Sequence, residues 1–428
     1  MQPIKPAVFG DAPSRMAQTR RRPVSDPQQL GANQYDLGSF NEATIIEAIR
    51  QAGTISRTEI SKQTGLTQQS VSRILRVLLE RGLLAEGAQE RTERLGKPRI
   101  PVRLRAEAAY AAGVLVDPEL MSVVLADLDG TVVERRSMPL TPAISPTALV
   151  EAIAGCVDEM IEASGIDSTT VLGVGVAVPG PITTDGELLN LPLSETWRDV
   201  PLRQLLVDRL QRPVVVEKDG AAAAIGERWI GRTDRAGDFV YLYFGTGIGS
   251  GLVLNGEVYR GISANAGEFG QLCAVRVGRI DGAGRPMLVR ECNPTAALPE
   301  IARELGYSGA AVSYLEMCAE VGRGEPSAVA AAQQIADVIA VGAVALIDLL
   351  DLPTLVVGGP VFEDELREIV LSTIDRAVNE LPTAHFARHV SVQPSLLDTE
   401  AGAIGAASTI FHASFAPHVR RTQKYRLN

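Results

Sequence analysis

Two groups of residues in this chain have types and spacing suited to chemistry. The first is the stretch GTGIGSGLVLNG, Gly245 to Gly256, whose glycines let backbone N–H groups approach a phosphate closely. The same glycines also suit a plain tight turn between two apolar strands, so the loop is weak evidence taken singly. The second group lies on a short helical pattern. Val71, Ile74, Leu75 and Leu78 recur at i, i+3, i+4 and i+7, which leaves Gln69, Ser72, Arg73 and Arg76 on the other side, with Gln68 just before them. Gln pairs bidentately with adenine and Arg with guanine in a major groove, while Arg76, further along the helix, suits a phosphate. Metal chemistry has less support. Cys156, Cys273, Cys292 and Cys318 are far apart with no CxxC pair, and the four His lie late in the chain without HExxH spacing.

A helix that presents Gln69 and Arg73 needs a frame, and the flanking sequence provides one. Ser56 and Glu59 form an S-x-x-E capping box that opens a helix over 57–64, Gly65 makes the turn, and Thr67 caps the next helix. A preceding helix starts near Asn41, carries Ile45, Ile46 and Ile49 on one side, and ends near Gly53. After Gly82, two short strands flank a basic loop with Arg91, Arg94, Lys97 and Arg99. The pattern is a winged helix-turn-helix, an α+β DNA-binding head over 36–105; the bland alternative is a small helical protein-binding module. Residues 1–35 mix Pro, Gln and Arg without periodicity and read as a disordered basic arm. Charge agrees with this division. Residues 1–105 hold 17 Lys and Arg against 10 Asp and Glu, whereas the remainder holds 24 against 41, so only the head is suited to a polyanion.

The body repeats one plan. AAGVLV, a turn, SVVLADL, Asp129-Gly130 and TVV are echoed by FVYLYF, a turn, GLVL, Asn255-Gly256 and EVY, each a three-stranded opening with a hairpin turn. Helical stretches at 147–163, 201–210 and 328–350 interleave with these strands, which implies two α/β lobes and a cleft between them. The longest apolar run, Ile339 to Leu350, is shorter than a membrane span and reads as a buried helix. The N-terminus has no apolar signal segment and the cysteines form no disulfide framework, so a cytoplasmic protein with no membrane partner is expected.

Six segments, taken together, resemble the ROK group of repressors, open reading frames and sugar kinases. They are SRTEISKQTGLTQQSVSRIL, GVGVAVPGPI, PVVVEKDGAAAAIGE, GTGIGSGLVLNG, NAGEFGQ and TLVVGGPV, in family order from about Asn41 almost to the C-terminus. The resemblance implies an actin-like, sugar-kinase-type fold. Lobe one is expected over 106–230, with 400–428 packing back onto it, and lobe two over 231–399. Members with a DNA-binding head resemble sugar-responsive regulators; those without one are ATP-dependent sugar kinases. By resemblance, Asp219 stands where a kinase has its base, and Glu268 and, more loosely, Glu291 stand where carboxylates accept sugar hydroxyls.

This chain departs from the family pattern at each chemical centre. Kinases hold phosphate between two glycine turns; here the second keeps Gly245, Thr246, Gly247 and Gly249, but the first reads Val116-Asp117-Pro118-Glu119-Leu120-Met121, without glycines and with an added negative charge. Lys218 replaces the usual Asn. It either pairs with Asp219 or Glu217 or points to an anionic ligand, which slightly favours an acidic or phosphorylated sugar. Gln271 replaces the His of the family's zinc site and the CxCGxxGC cluster is missing, so no metal and no cofactor are expected. The resulting expectation is a regulator, a repressor rather than an enzyme, that binds a duplex DNA operator as a homodimer or homotetramer and responds to a sugar held by Lys218, Asp219, Glu268, Gln271 and Glu291. The alternatives are a sugar kinase with a DNA-binding appendage and a ligand-blind regulator that uses its body to oligomerise.

Overall fold

The computed structural model describes residues 34–87, 100–118, 120–141, 143–183 and 197–415. The head opens with α1 (Gln34–Ala52), followed by β1 (Ile55–Ser56), α2 (Arg57–Thr64), α3 (Gln68–Glu80), β2 (Leu84–Glu86) and β3 (Pro101–Leu104). Local chemistry fixes these boundaries. The Ser56 hydroxyl accepts from Glu59 N and the Glu59 carboxylate accepts from Ser56 N, Gly65 ends α2 at φ 72°, and Thr67 caps α3 through Ser70 N. The antiparallel sheet runs in the order β1-β3-β2, with Ile55 opposite Val102 and Leu84 opposite Leu104. Val71, Ile74, Leu75 and Leu78 are buried with Ile45, Ile49 and Ile60.

One boundary differs from the sequence reading. Helix α1 begins at Gln34 rather than near Asn41, two residues inside the segment read as an arm. Gly38 and Ser39 are weak helix formers, but that propensity cost is overridden inside a continuing helix.

Each body lobe is built on one five-stranded sheet, and the two sheets share a topology. In the first, β4 (Tyr110–Val116), β5 (Leu120–Asp127) and β6 (Val132–Pro139) form an antiparallel meander. After α4 (Pro146–Ser164), β7 (Val171–Val178) joins β4 in parallel, and after α5 (Leu202–Leu210), β8 (Val214–Lys218) joins β7, giving the order β6-β5-β4-β7-β8; α6 (Asp219–Gly231) follows. The second sheet, β11-β10-β9-β12-β13, repeats this arrangement. Its meander is β9 (Phe239–Phe244), β10 (Ile248–Leu254) and β11 (Glu257–Val258). The chain then passes through α7 (Phe269–Arg276), α8 (Pro294–Glu304), α9 (Tyr314–Gly322) and α10 (Pro326–Leu350) before β12 (Thr354–Gly358), α11 (Asp364–Glu380), β13 (Ser391–Pro394) and α12 (Ala401–Phe415). Burial follows position. Edge strand β6 alternates half-buried and exposed residues, while central β9, Phe-Val-Tyr-Leu-Tyr-Phe, is buried at all six. The second hairpin turn places Asn255 and Gly256 at φ 55° and 70°, the left-handed pair that a two-residue turn requires.

The helix after each fifth strand crosses to the other lobe. Helix α12 lies on the first sheet so closely that a side chain at Gly113 would come 2.0 Å from the Ala403 carbonyl oxygen. Helix α6 approaches the second sheet in the same way, where Gly251 meets the Gly220 carbonyl. The two helices pack together through a Trp229–Phe411 ring contact, with centroids 5.6 Å apart.

Helix α10 corrects the reading of apolar length. It runs for 25 residues and is long and apolar enough to cross a bilayer, because the alanine-rich first half extends the apolar run counted from Ile339. Ala328, Ile335, Ile339, Ala343 and Ile347 are buried in the core of lobe two, against residues of the sheet and α11.

Candidate functional site

On the head, the polar side of α3 faces solvent. Gln68, Gln69, Arg73 and Arg76 are exposed and Ser72 is half-buried, as expected when the opposite stripe fills the core. Three other head arginines are engaged in ion pairs: Arg57 with Glu86 at 3.2 Å, Arg81 with Glu42 at 2.5 Å and Arg105 with Glu107 at 3.5 Å. Among the described residues no ion pair engages Arg73 or Arg76, so their charge is available to a polyanion. Lys62, in the last turn of α2, is also exposed and was missed by the sequence reading, since one Lys in an eight-residue helix carries no pattern. Arg91, Arg94, Lys97 and Arg99, the basic loop of the wing, lie outside the described residues.

In the body, the end of β8, the start of α6 and the start of α7 bring Lys218, Asp219 and Glu268 together. Lys218 ends the strand and is buried, Asp219 begins α6, and Glu268 is the residue immediately before α7. The Lys218 Nζ donates to Glu268 Oε1 at 2.5 Å. The sequence reading offered Asp219, Glu217 or an anionic ligand as its counter-charge, and the structure corrects that to a carboxylate 50 residues away. Glu217 is instead taken by Arg260, whose Nε donates to Glu217 Oε2 at 2.6 Å. Asp219 Oδ1 accepts from Gly220 N at 2.7 Å. Burial pushes the Asp219 carboxyl up to about 6 against the lowering pull of Lys218 and the Gly220 N–H, with Asp117 and Glu268 adding to the rise. A carboxylate so placed is a hydrogen-bond acceptor for a hydroxyl at neutral pH and a donor below pH 6.

Two of the residues proposed for the ligand are not drawn into this group. Glu291 is buried and accepts from Gln334 Nε2 at 2.9 Å, which ties it to α10. Gln271 lies exposed on α7, one turn beyond Glu268, with no hydrogen bond to a described residue. Conversely, Asn265 was quoted within NAGEFGQ but not singled out. Its amide accepts from Ile182 N at 2.8 Å and donates to Ile182 O at 2.6 Å, clasping the PGPI turn of the first lobe.

Among the described residues, Lys218–Glu268, Glu217–Arg260, Ile182–Asn265 and Asp117–Thr246 are polar contacts that join the two lobes. The last of these bears on the phosphate chemistry. Thr246 Oγ1 donates to both Asp117 oxygens, at 2.8 and 3.0 Å, so the two turns that clamp a nucleotide in a kinase are here bonded to each other. In the first turn, Asp117 N already donates to Leu120 O at 2.9 Å and Pro118 has no N–H, which leaves little to cradle a phosphate. Glu119 lies outside the described residues. The second turn is a short link from β9 to β10 in which Gly245 N donates to Gly247 O at 3.0 Å. Gly249, on β10, faces Asp219, whose Oδ1 would lie 3.8 Å from a side chain built there.

Zinc, which the family resemblance implies, does not fit the residues present. Cys273 and Cys292 are fully buried. A hydrogen bond with Cys292, together with burial, holds the Cys273 thiol far above its ordinary value, so Cys273 stays protonated rather than offering a thiolate. Gln271 contributes an amide in place of an imidazole, and no group of three or more metal-ligating side chains occurs among the described residues.

With this geometry in view, the chain can be set beside known proteins. Residues 116–413 match the model of the ROK family, and residues 39–95 match that of the MarR family. A putative xylose repressor from a Caldicellulosiruptor species is 26% identical over 87% of this chain and 96% of its own length. The crystal structure of a ROK family transcriptional regulator, a homologue of the E. coli MLC protein, superposes with a TM-score of 0.73 at 20% identity over 89% of this chain and 97% of that one. A Streptomyces griseus ROK family glucokinase, solved with glucose and AMPPNP, has a TM-score of 0.61 at 25% identity and spans 70% of this chain and 99% of its own.

Proposed function

Since this chain belongs to the ROK family, we propose that it is a sugar-responsive transcriptional repressor that reads duplex DNA with its head and holds its effector between the lobes without phosphorylating it. The observation that carries this reading is the exposed, unpaired side of α3. In the proposed complex, Gln68, Gln69, Ser72 and Arg73 face base edges while Arg76 and the wing loop hold phosphates. Two copies per operator, from a homodimer or homotetramer, account for a two-fold symmetric DNA site, and the protein acts in the cytoplasm where that DNA lies.

The effector is a neutral sugar or sugar derivative. Lys218 is already neutralised by Glu268, and Asp117, Asp219, Glu217 and Glu268 outnumber Lys218 and Arg260 around the cleft. An anionic ligand would meet net repulsion that outweighs the attraction of Lys218. The name of the Caldicellulosiruptor relative makes xylose the first candidate. Glu268 and ionised Asp219 accept its hydroxyl hydrogen bonds, and the Asp117–Thr246 bond closes the position that a nucleotide phosphate would need.

Calorimetric titration with D-xylose, D-glucose, N-acetylglucosamine and glucose 6-phosphate tests this assignment. A neutral sugar binds and Glu268→Ala abolishes its binding. Tighter binding of the 6-phosphate would overturn the electrostatic argument. ATP-dependent sugar phosphorylation that disappears in Asp219→Asn would establish the kinase reading instead.

A further inference from the structure

Helix α6 begins in the cleft and ends against the head. Asp219 is its first residue, and Arg228 and Trp229 lie in its last turn. At 1.5 Å per residue the distance from Asp219 to Trp229 is about 15 Å. The helix has no polar face; residues 220–229 are buried throughout. Glycines allow its closest approaches. A side chain at Gly220 would stand 2.9 Å from the Ser250 carbonyl, and one at Gly226 2.7 Å from Gly405 Cα. In between, the fully buried Glu227 accepts from Arg235 Nε and Ser395 Oγ, both at 2.8 Å, and from Leu396 N at 3.0 Å. A helix held this tightly shifts as a rigid body rather than bending.

Its far end grips α1. Arg50 Nη1 donates to the Arg228 and Trp229 carbonyls at 3.2 and 2.6 Å, satisfying acceptors that the helix end leaves free, and its guanidinium lies 4.8 Å from the Trp229 ring centroid. Glu47 joins the two arginines, accepting from Arg50 Nε and Nη2 at 2.8 Å and from Arg228 Nη2 at 2.9 Å. Arg50 is 3% exposed. On the opposite side of α1, Ile45 and Ile49 share a core with Val71, Leu75 and Leu78 of α3, so the helix that touches the body also seats the helix proposed to read DNA.

We propose that Glu47 and Arg50 are positioning residues through which α6, acting as a strut, transmits occupancy of the cleft at Asp219 to the seating of the DNA-reading head. The proposal rests on the sugar-responsive reading for its input, while its mechanical part is testable without any sugar. Effector contact with Asp219 displaces the helix N-terminus, the strut carries the displacement to the Arg228–Trp229 end, and the Glu47–Arg50 cluster re-seats α1 and, with it, α3.

Hydrogen exchange on the full chain tests the strut. Gly220→Ala pushes the start of α6 against Ser250 without removing a charge or an acceptor, and amides at 45–52 in α1 are expected to exchange about tenfold faster than in wild type. Gly173→Ala, in β7 and 2.6 Å from the Pro213 carbonyl oxygen, is the control for general strain and leaves those amides at the wild-type rate. If Gly220→Ala does not fold, Asp219→Asn, which weakens the acceptor for Gly220 N, is read in the same way. Wild-type exchange in α1 of these variants, or equal acceleration by Gly173→Ala, overturns the strut.

The coupling is then read with D-xylose, D-glucose and N-acetylglucosamine on a DNA site selected by the protein from a random duplex pool. The sugar-induced change in wild-type DNA affinity, expected at roughly 5- to 150-fold, falls below about twofold in Glu47→Gln, while calorimetric sugar affinity is unchanged. A full response in Glu47→Gln overturns the positioning role. Failure of wild type to bind any of the sugars rejects the sugar-responsive reading, and the exchange experiment still decides the strut.

Discussion

Replacing Arg73 by Ala separates base reading from charge. Arg73 lies on the exposed side of α3 four residues after Gln69 and three before Arg76, and no described carboxylate competes for its guanidinium. A bidentate contact to guanine contributes roughly 1–3 kcal/mol of discrimination, so Arg73→Ala should weaken the selected site roughly 5- to 150-fold per head and leave random duplex far less affected. Arg76→Ala should weaken all duplexes alike and reduce the slope of log affinity against log salt by about 0.9 per head. Arg57→Ala is the internal control, because its partner Glu86 already holds that charge in an exposed pair contributing about 0–1 kcal/mol. Fluorescence anisotropy with selected and random duplexes between about 50 and 200 mM salt reads all three variants. Equal weakening of both duplexes by Arg73→Ala, or a loss in Arg57→Ala as large as in Arg73→Ala, would refute the assignment of this helix face.

Three further outcomes follow from the site and the head–body joint. The Asp219 carboxyl is raised from 3.8 to about 6, so the accepting form is lost as pH falls through 6; sugar affinity should drop about tenfold per pH unit below that point, measured by calorimetry, and the profile should flatten in Asp219→Asn. At Glu47 burial raises the carboxyl, but the Arg50 hydrogen bonds and the charges of Arg50 and Arg228 outweigh it and leave it at about 2, below the ordinary 4.5. A lowered folded value stabilises above the unfolded one, so thermal stability should fall between pH 4.5 and 2, by about 3 kcal/mol at most, and Glu47→Gln should remove that part of the acid sensitivity. Elemental analysis should find substoichiometric zinc, with an unfolding midpoint indifferent to chelator, since the Cys273 thiol is buried and held protonated and Gln271 stands apart.

The parts legible in the sequence were those set by neighbours in the chain. The Ser56–Glu59 box, the Gly65 turn and the Asn255–Gly256 hairpin are each closed within a few residues, so residue type and spacing specify them. The duplicated meander was readable for the same reason, while the pairing of β7 with β4 and β8 with β7 depends on crossovers that no local pattern records. Helix α6 left no periodic signal because Ala and Gly bury it on every side, and an amphipathic stripe arises only where one face is solvated. At the cleft, the sequence marked Lys218 as unusual yet could not supply its partner, since Glu268 lies 50 residues away and meets it only in the assembled fold. Thr246 meets Asp117 across 129 residues, and Arg50 meets Trp229 across 179; both contacts are properties of the assembled lobes and head. The absence of glycines around Pro118 was visible in the sequence, but not that Thr246 of the second turn would bond to Asp117.

The most direct test of a sugar-responsive repressor is the affinity of the full chain for its selected DNA site, with and without a saturating neutral sugar, in wild type and in Glu268→Ala. Glu268 faces the cleft and makes no contact with the head among the described residues, so its removal should leave DNA binding intact. The account predicts that sugar changes wild-type affinity by roughly 5- to 150-fold, a coupling of about 1–3 kcal/mol, and does not change that of the variant. A wild-type affinity that no sugar in a broad panel alters, or a variant that responds as wild type does, would contradict the account and leave the body as an oligomerisation platform blind to sugar.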